Sequence, residues 1–454
     1  MQIQPESLDG TFNLGKVEMD MFGGLKKTSS RITIATALGL TLGVYAMSAS
    51  PAKAADFGGD CCADLEERVA ELEATTVRKG NKKVSVTISG WVVKSFNVWD
   101  DGFESNSVVG DKDYDLGSRF AITGEAQISP GWSAGYNMTV LAPADVFGFA
   151  SNQINDDQFN NISTLYSYMY IKSDKWGTLN WGTLSPASDN AAVLADASGT
   201  VIESNAVFFE GPGFFLRTPG GGTSALTWGN FLGCYGIGGA GIGVDCNGVA
   251  YDAVRYDSPT IAGFRLEASW GEDDKGDVAV FYNGNWGSFT TTAAYAYTHT
   301  SGNGTGLPIA TADSDLHQAG ATVMHDPSGL GLYGMYQYET LDLVGAPDTN
   351  VWYLKPFLKK SFMPMGATTF YGEYGNYEDQ YFFANAALGA QVFDGSEVER
   401  YGLGVVQEID AAAMHLFGRW QHQSLDADFS AAAGGGSFAT EDWDLFQVGG
   451  VIFF

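Results

Sequence analysis

Hydrophobic and polar residues alternate along most of this chain with a period of two. Val84, Val86 and Ile88 interleave with Ser85, Thr87 and Ser89. Over residues 119–128, Phe120, Ile122 and Ile128 share one parity, and Arg119, Thr123, Glu125 and Gln127 share the other. Trp132, Ala134, Tyr136, Met138 and Val140 then alternate with Ser133, Asn137 and Thr139. Successive side chains of an extended strand point to opposite faces, so this pattern predicts strands with one apolar and one polar face. The alternation runs to the last residue: in 442–454, Phe446, Val448, Ile452 and Phe454 fall on alternate positions with Gly450 among them. A terminal strand frays unless a neighbour ties it down, and a first strand is the partner expected here.

Turn sequences punctuate the strands at Ser129-Pro130-Gly131, Ser173-Asp174-Lys175, Asp257-Ser258-Pro259, Asn283-Gly284-Asn285 and His325-Asp326-Pro327, near Pro364 and around 408–410. Longer Gly- and Asp-rich connections lie between them. Short turns at one end and long loops at the other form the layout of an outer-membrane barrel. Trp132, Trp176, Phe264, Trp270, Trp286 and Phe289 cluster near strand ends, as an interfacial girdle requires. A soluble sandwich or propeller would also alternate. Against it, one parity stays apolar over many consecutive hairpins with no helices to cover it, while the other carries Arg119, Glu125, Arg265, Glu267 and Arg419. The expected fold is all-β, an antiparallel transmembrane β-barrel over residues 82–454. The hairpin count gives 16 strands if 185–248 holds none, and 18 if 204–232 supplies one more hairpin.

The amino-terminal part reads differently. Lys26, Lys27 and Arg31 precede an apolar run over 32–47, and Ala52-Lys53-Ala54 supplies a small-x-small cleavage site, so 1–54 is expected to be a leader with a secretory signal. Met19 or Met21 is the expected start, because 1–20 match nothing in such a signal. Within 55–81, Leu65, Val69, Leu72 and Thr76 follow 4-3-4 spacing. A helix this short needs partners, so a periplasmic coiled-coil stalk of identical chains is expected, with a helix packed on the barrel rim as the alternative. The adjacent Cys61 and Cys62 point to a free thiol or an interchain bridge.

Charge narrows the function. Twenty-four basic against 53 acidic residues give a net charge of −29, which argues against nucleic acid as a partner. Runs such as Glu272-Asp273-Asp274 read as solvated loops; alternatively they attract cations to a pore mouth or bind divalent ions that bridge surface lipid. Chemistry is not indicated. Gly131-Trp132-Ser133-Ala134-Gly135 opens a strand where a nucleophile elbow needs a strand-to-helix turn. Gly236-Ile237-Gly238-Gly239-Ala240-Gly241 has no helix after it, and His299, His317, His325, His415 and His422 show no metal-ligand spacing. No cofactor, metal or catalytic residue is expected. In an oxidising compartment, Cys234 and Cys246, which flank an almost wholly Gly, Ile and Ala stretch, are expected to form a loop disulfide.

The chain resembles the porins of alphaproteobacteria, of Rhizobiales type. The resemblance is carried by the stalk 64–76 leading into 84–90, by Val254-Arg255-Tyr256-Asp257-Ser258-Pro259 followed by Gly263-Phe264, by Ser185-Pro186-Ala187-Ser188-Asp189-Asn190, and by the terminal Phe. It covers nearly all of the chain after the leader and implies a homotrimer of barrels, each with a loop folded into its pore. The connection 185–203 is the expected constriction loop, since its Ala191-Ala192-Val193-Leu194-Ala195 is odd for an open surface. Its Asp189, Asp196 and Glu203 are expected to face the wall residues Arg119, Arg255, Arg265 and Arg419 and to set a transverse field. Phe446, Val448, Ile452 and Phe454 would close the barrel. The expected function is a passive outer-membrane channel of a Gram-negative bacterium for small hydrophilic solutes and ions, with lipid and lipopolysaccharide as surroundings. The alternative is a structural anchor that tethers the envelope through its stalk.

Overall fold

In the computed structural model, residues 83–454 are described apart from 114–115, 144–145, 149–151, 155–161, 208–209, 236–241, 272–273, 303–311, 344, 382–383 and 386–389. The leader and the stalk, with Cys61 and Cys62, lie outside the described residues. Sixteen strands form the wall: β1 Thr87–Asp100, β2 Arg119–Ser129, β3 Trp132–Leu141, β4 Ser163–Ser173, β5 Gly177–Leu184, β6 Tyr251–Asp257, β7 Phe264–Gly271 and β8 Gly276–Trp286, then β9 Phe289–Thr300, β10 Ser314–His325, β11 Leu330–Leu341, β12 Thr349–Met363, β13 Gly366–Glu378, β14 Phe393–Ile409, β15 Met414–Phe429 and β16 Trp443–Phe453. Each pairs antiparallel with the next, and β16 returns to β1 with Trp91 opposite Phe453 and Phe96 opposite Val448. Beyond the ladder, Gly90 N–H donates to the Phe454 carbonyl at 2.9 Å. The ladder of sixteen strands thus closes on itself, which a strand structure in hydrocarbon requires.

The alternation places apolar side chains outside. On β1, Val92 is 43% exposed while its neighbour Val93 is 0% exposed. Phe446, Val448, Ile452 and Phe454 share this outer, exposed face, as do the six aromatics expected in the girdle. The buried core lies within the tube, between the wall and a long inward loop. Register shifts interrupt the ladder at Lys360/Met363, Phe393/Gly395, Gln127/Ser129 and Thr139/Val140. The upper part of β1 pairs with the short segment Ser105–Gly110 and the lower part with β2.

Two expectations are corrected. The hairpin anticipated within 204–232 exists, as Phe215–Arg217 with Thr223–Thr227, but it forms its own sheet inside the loop, so the barrel has 16 strands and not 18. Asn283-Gly284-Asn285 does not turn: it continues β8, and the chain reverses at Gly287, whose φ of +63° suits a residue without Cβ.

Candidate functional site: the loop-lined lumen

The described residues of the connection between β5 and β6, 185–250, fold into the tube, well beyond the 185–203 expected. The loop follows the inner wall strand by strand. Ser188 donates to Asp277 of β8 at 2.6 Å. The Ala192 carbonyl accepts from Tyr333 of β11 at 2.8 Å, and the Ala195 carbonyl from Thr322 of β10 at 2.7 Å. Opposite Ala192, β10 carries Gly320, where a Cβ would stand 2.2 Å from the Ala192 oxygen. Lys355 of β12 donates to Asp196 at 2.8 Å, to Thr200 at 2.9 Å and to the Ser204 carbonyl at 2.6 Å. Arg400 of β14 holds the Asn205 and Val207 carbonyls, and Glu373 of β13 accepts from Ser204 at 2.7 Å. His415 of β15 meets Glu203 at 2.7 Å, while Arg419 and Lys112 both pair with Glu210. Burial alone would raise the Glu210 carboxyl, but those two cations hold it below the usual carboxylate range. Phe214 packs on Trp99 of β1 and Trp443 of β16, with ring centroids 5.1 and 5.2 Å apart. The return limb contains the Cys234–Cys246 disulfide, beside which the Gly243 carbonyl accepts from Gln337 and Gln380 of the wall and its continuation.

Every buried carbonyl in this list meets a wall donor, as irregular backbone inside a membrane barrel must. The loop therefore lies mainly against β8–β16 and the upper part of β1, and the open lumen runs mainly along β2–β7. Three cavities of about 790, 590 and 440 Å³ mark it. The first two share Asp189, the second and third share Arg119 and Tyr166, and the first and third share Ser185 and Arg255.

The seven charged residues singled out in the sequence separate into two groups. Asp189, Arg119, Arg255 and Arg265 line the cavities. Arg255 is shared with Asp257 at 2.7 Å and donates to the Ser185 carbonyl at 2.9 Å; Arg265 pairs with Glu267 at 2.7 Å. Asp189 is half-buried on the loop, and burial, opposed by hydrogen bonds from Ser185 and Asn190, pushes its carboxyl up to about 6. Asp196, Glu203 and Arg419 instead are buried in ion pairs that fasten loop to wall. Sequence reasoning missed Lys355, Glu373 and Arg400, which do the fastening, and Tyr166 and Tyr168, which line the lumen. A signal existed. Lys355 lies between Tyr353 and Phe357 on the parity opposite Trp352 and Leu354, hence inside.

A closed barrel with an apolar outside, a lumen lined by charged and polar side chains and a loop that narrows the bore defines an outer-membrane diffusion channel. Residues 36–442 match the model of the Gram-negative porin family, and the chain belongs to that family. No curated protein sequence matches it. Among solved structures it is similar to an anion-selective porin from Comamonas acidovorans, with a TM-score of 0.54 and 18% identity over 82% of this chain and 100% of that one. It is also similar to in-vitro folded OmpT of Vibrio cholerae in its trimer form, with a TM-score of 0.51 and 14% identity over 82% and 100% of the two chains. At these identities the likeness is one of fold.

Proposed function

We propose that solutes and ions cross this channel on the β2–β7 side of the lumen, and that ion preference is set where Asp189 of the loop stands opposite Arg119 and Arg255 of the wall. The observation that carries this is that all three line the adjoining cavities, whereas the other carboxylates expected in the loop are spent in buried pairs. Opposed charges across a narrow, hydrated bore orient dipolar solutes and rank ions by charge. Purified protein in liposomes should give swelling rates that fall with solute size. Vesicles that stay closed to every solute would reject the channel and favour the structural anchor.

A homotrimer of the alphaproteobacterial type is the proposed assembly, embedded in lipid and lipopolysaccharide. Lys94 supports it. This side chain is half-exposed in the outward row of β1 between Val92 and Phe96, where a cation against hydrocarbon is costly, so a second copy is the better cover. The residue also pairs with the buried Asp111. The proposed domain plan keeps the leader 1–54, the stalk 55–81 and the barrel 82–454.

A further inference from the structure

We propose that the inward tyrosines of β4, Tyr166, Tyr168 and Tyr170, form a stacking track for neutral sugars, so that short oligosaccharides are preferred solutes of this channel. The proposal rests on the reading of the lumen as a solute path. Tyr166 borders the cavities of about 590 and 440 Å³ and so stands at the constriction. Tyr168 borders the second of these, and Tyr170 follows toward the short turn between β4 and β5. Alternate residues of a strand share a face at a spacing of about 7 Å, so the row is about 13 Å long.

Tyr170 is laid on the wall rather than raised from it. It pairs with Gly135 of β3, and a Cβ at Gly135 would stand 2.3 Å from the Tyr170 Cζ. The ring therefore lies across the bare backbone of β3, and its hydroxyl donates to Glu125 of β2 at 2.9 Å. One ring face rests on the strand, and the other is turned to the lumen. On the opposite flank Tyr168 pairs with Gly182 of β5, so no side chain rises beside it there. Tyr168 is hydrogen-bonded to Asn137, and Tyr166 to Ser185 at the root of the loop. All three rings are half-buried, with their tips tied and part of their surface open.

A pyranose has the complementary form: an apolar C–H face that stacks on an aromatic ring, and a rim of hydroxyls that hydrogen-bonds beside it. The groups beside the row suit that rim, Asn137 and Thr139 on β3 and Asn180 on β5. Ions are less well served. Arg255 is engaged by Asp257 and the Ser185 carbonyl, and Glu125 by Tyr170. The exposed Lys172, next in the same inward row, opposes a cationic aromatic solute. A wholly apolar solute would leave the amides and hydroxyls without partners.

The test uses maltotriose on the full chain in planar bilayers, with a polyethylene glycol of equal hydrodynamic radius as comparison. Maltotriose should lower the single-channel potassium chloride current saturably, with half-block on the order of 10 mM. The glycol should give only a non-saturating decrease. Tyr168→Leu and Tyr170→Leu, which each remove a ring but no charge, should raise the half-block concentration about fivefold, and either serves if the other does not fold. Tyr170→Phe, which keeps the ring, should stay within about twofold of wild type. A non-saturating maltotriose response, or leucine variants that respond as wild type does, overturns the track. A phenylalanine variant as weak as the leucine one overturns it too, since the ring face is then not what binds. Absence of any current in potassium chloride overturns the channel reading instead, and titration calorimetry of maltotriose with the detergent-solubilised wild type and Tyr168→Leu then decides the sugar site.

Discussion

At the residue scale, Asp189 is the side chain whose protonation should be visible in function. Burial raises its carboxyl from 3.8 to about 6, so it is charged above that pH and neutral below it. Reversal potentials measured across a potassium chloride gradient should therefore show cation preference declining as pH falls through about 6, and Asp189→Asn should remove that step. The linkage has the opposite sign for stability. A carboxyl with a folded value above its unfolded one binds its proton more tightly when folded, so this group's contribution to stability declines as pH rises from about 4 to about 6. Asp196→Asn should act differently: it leaves Lys355 buried without its anion, so its effect should come through loosening of the loop. Inside and outside were legible for Arg119, Arg255 and Arg265, since strand parity assigns a face. Asp196 and Glu203 sit in a loop with no period, and no local rule told which carboxylate would face solute and which the wall.

The inward loop is the element on which the bore depends, and Lys355 is its principal anchor. Lys355→Met leaves Asp196 buried without its cation, a loss of about 3–5 kcal/mol for a broken buried pair. Because the wall strands do not need that pair, the loss should appear as release of the loop rather than unfolding of the barrel. Larger and noisier single-channel currents are expected, with new protease cleavage within 185–250 and unchanged heat-modifiable migration on gels. Gly320→Val tests the same docking from the other partner, since a Cβ there overlaps the Ala192 carbonyl oxygen. Currents equal to wild type in both variants would show that the loop does not depend on these contacts. The loop's composition announced that it was buried, but not its extent: the hairpin at Phe215–Arg217 reads locally like any strand pair. Only its placement, with Phe214 against Trp99 and Trp443, keeps it out of the wall. Asn283-Gly284 misled for a related reason, because the continuing ladder with β9 overrides local turn preference.

For the whole molecule, the outward face is uniform in kind but should not be uniform in role. Leu266 on β7 and Val92 on β1 are both exposed, at 58% and 43%, in the apolar row that closure of the barrel turns outward. If the chain stood alone in lipid, arginine at either position would meet hydrocarbon, and each would cost about 2–4 kcal/mol near the bilayer midplane. Lys94 breaks that symmetry. It already places a cation two residues from Val92, so in the proposed trimer the β1 face is the one that another subunit would cover. Leu266→Arg should then lower the stability of the barrel, read as a shift of the urea midpoint in vesicles, while the trimer persists. Val92→Arg should instead dissociate the trimer, read by native mass spectrometry or light scattering, with a smaller change in midpoint. Equal midpoint shifts with unchanged assembly in both variants would mean that β1 faces lipid as β7 does, and Lys94 would then have to be explained by its pair with Asp111 alone.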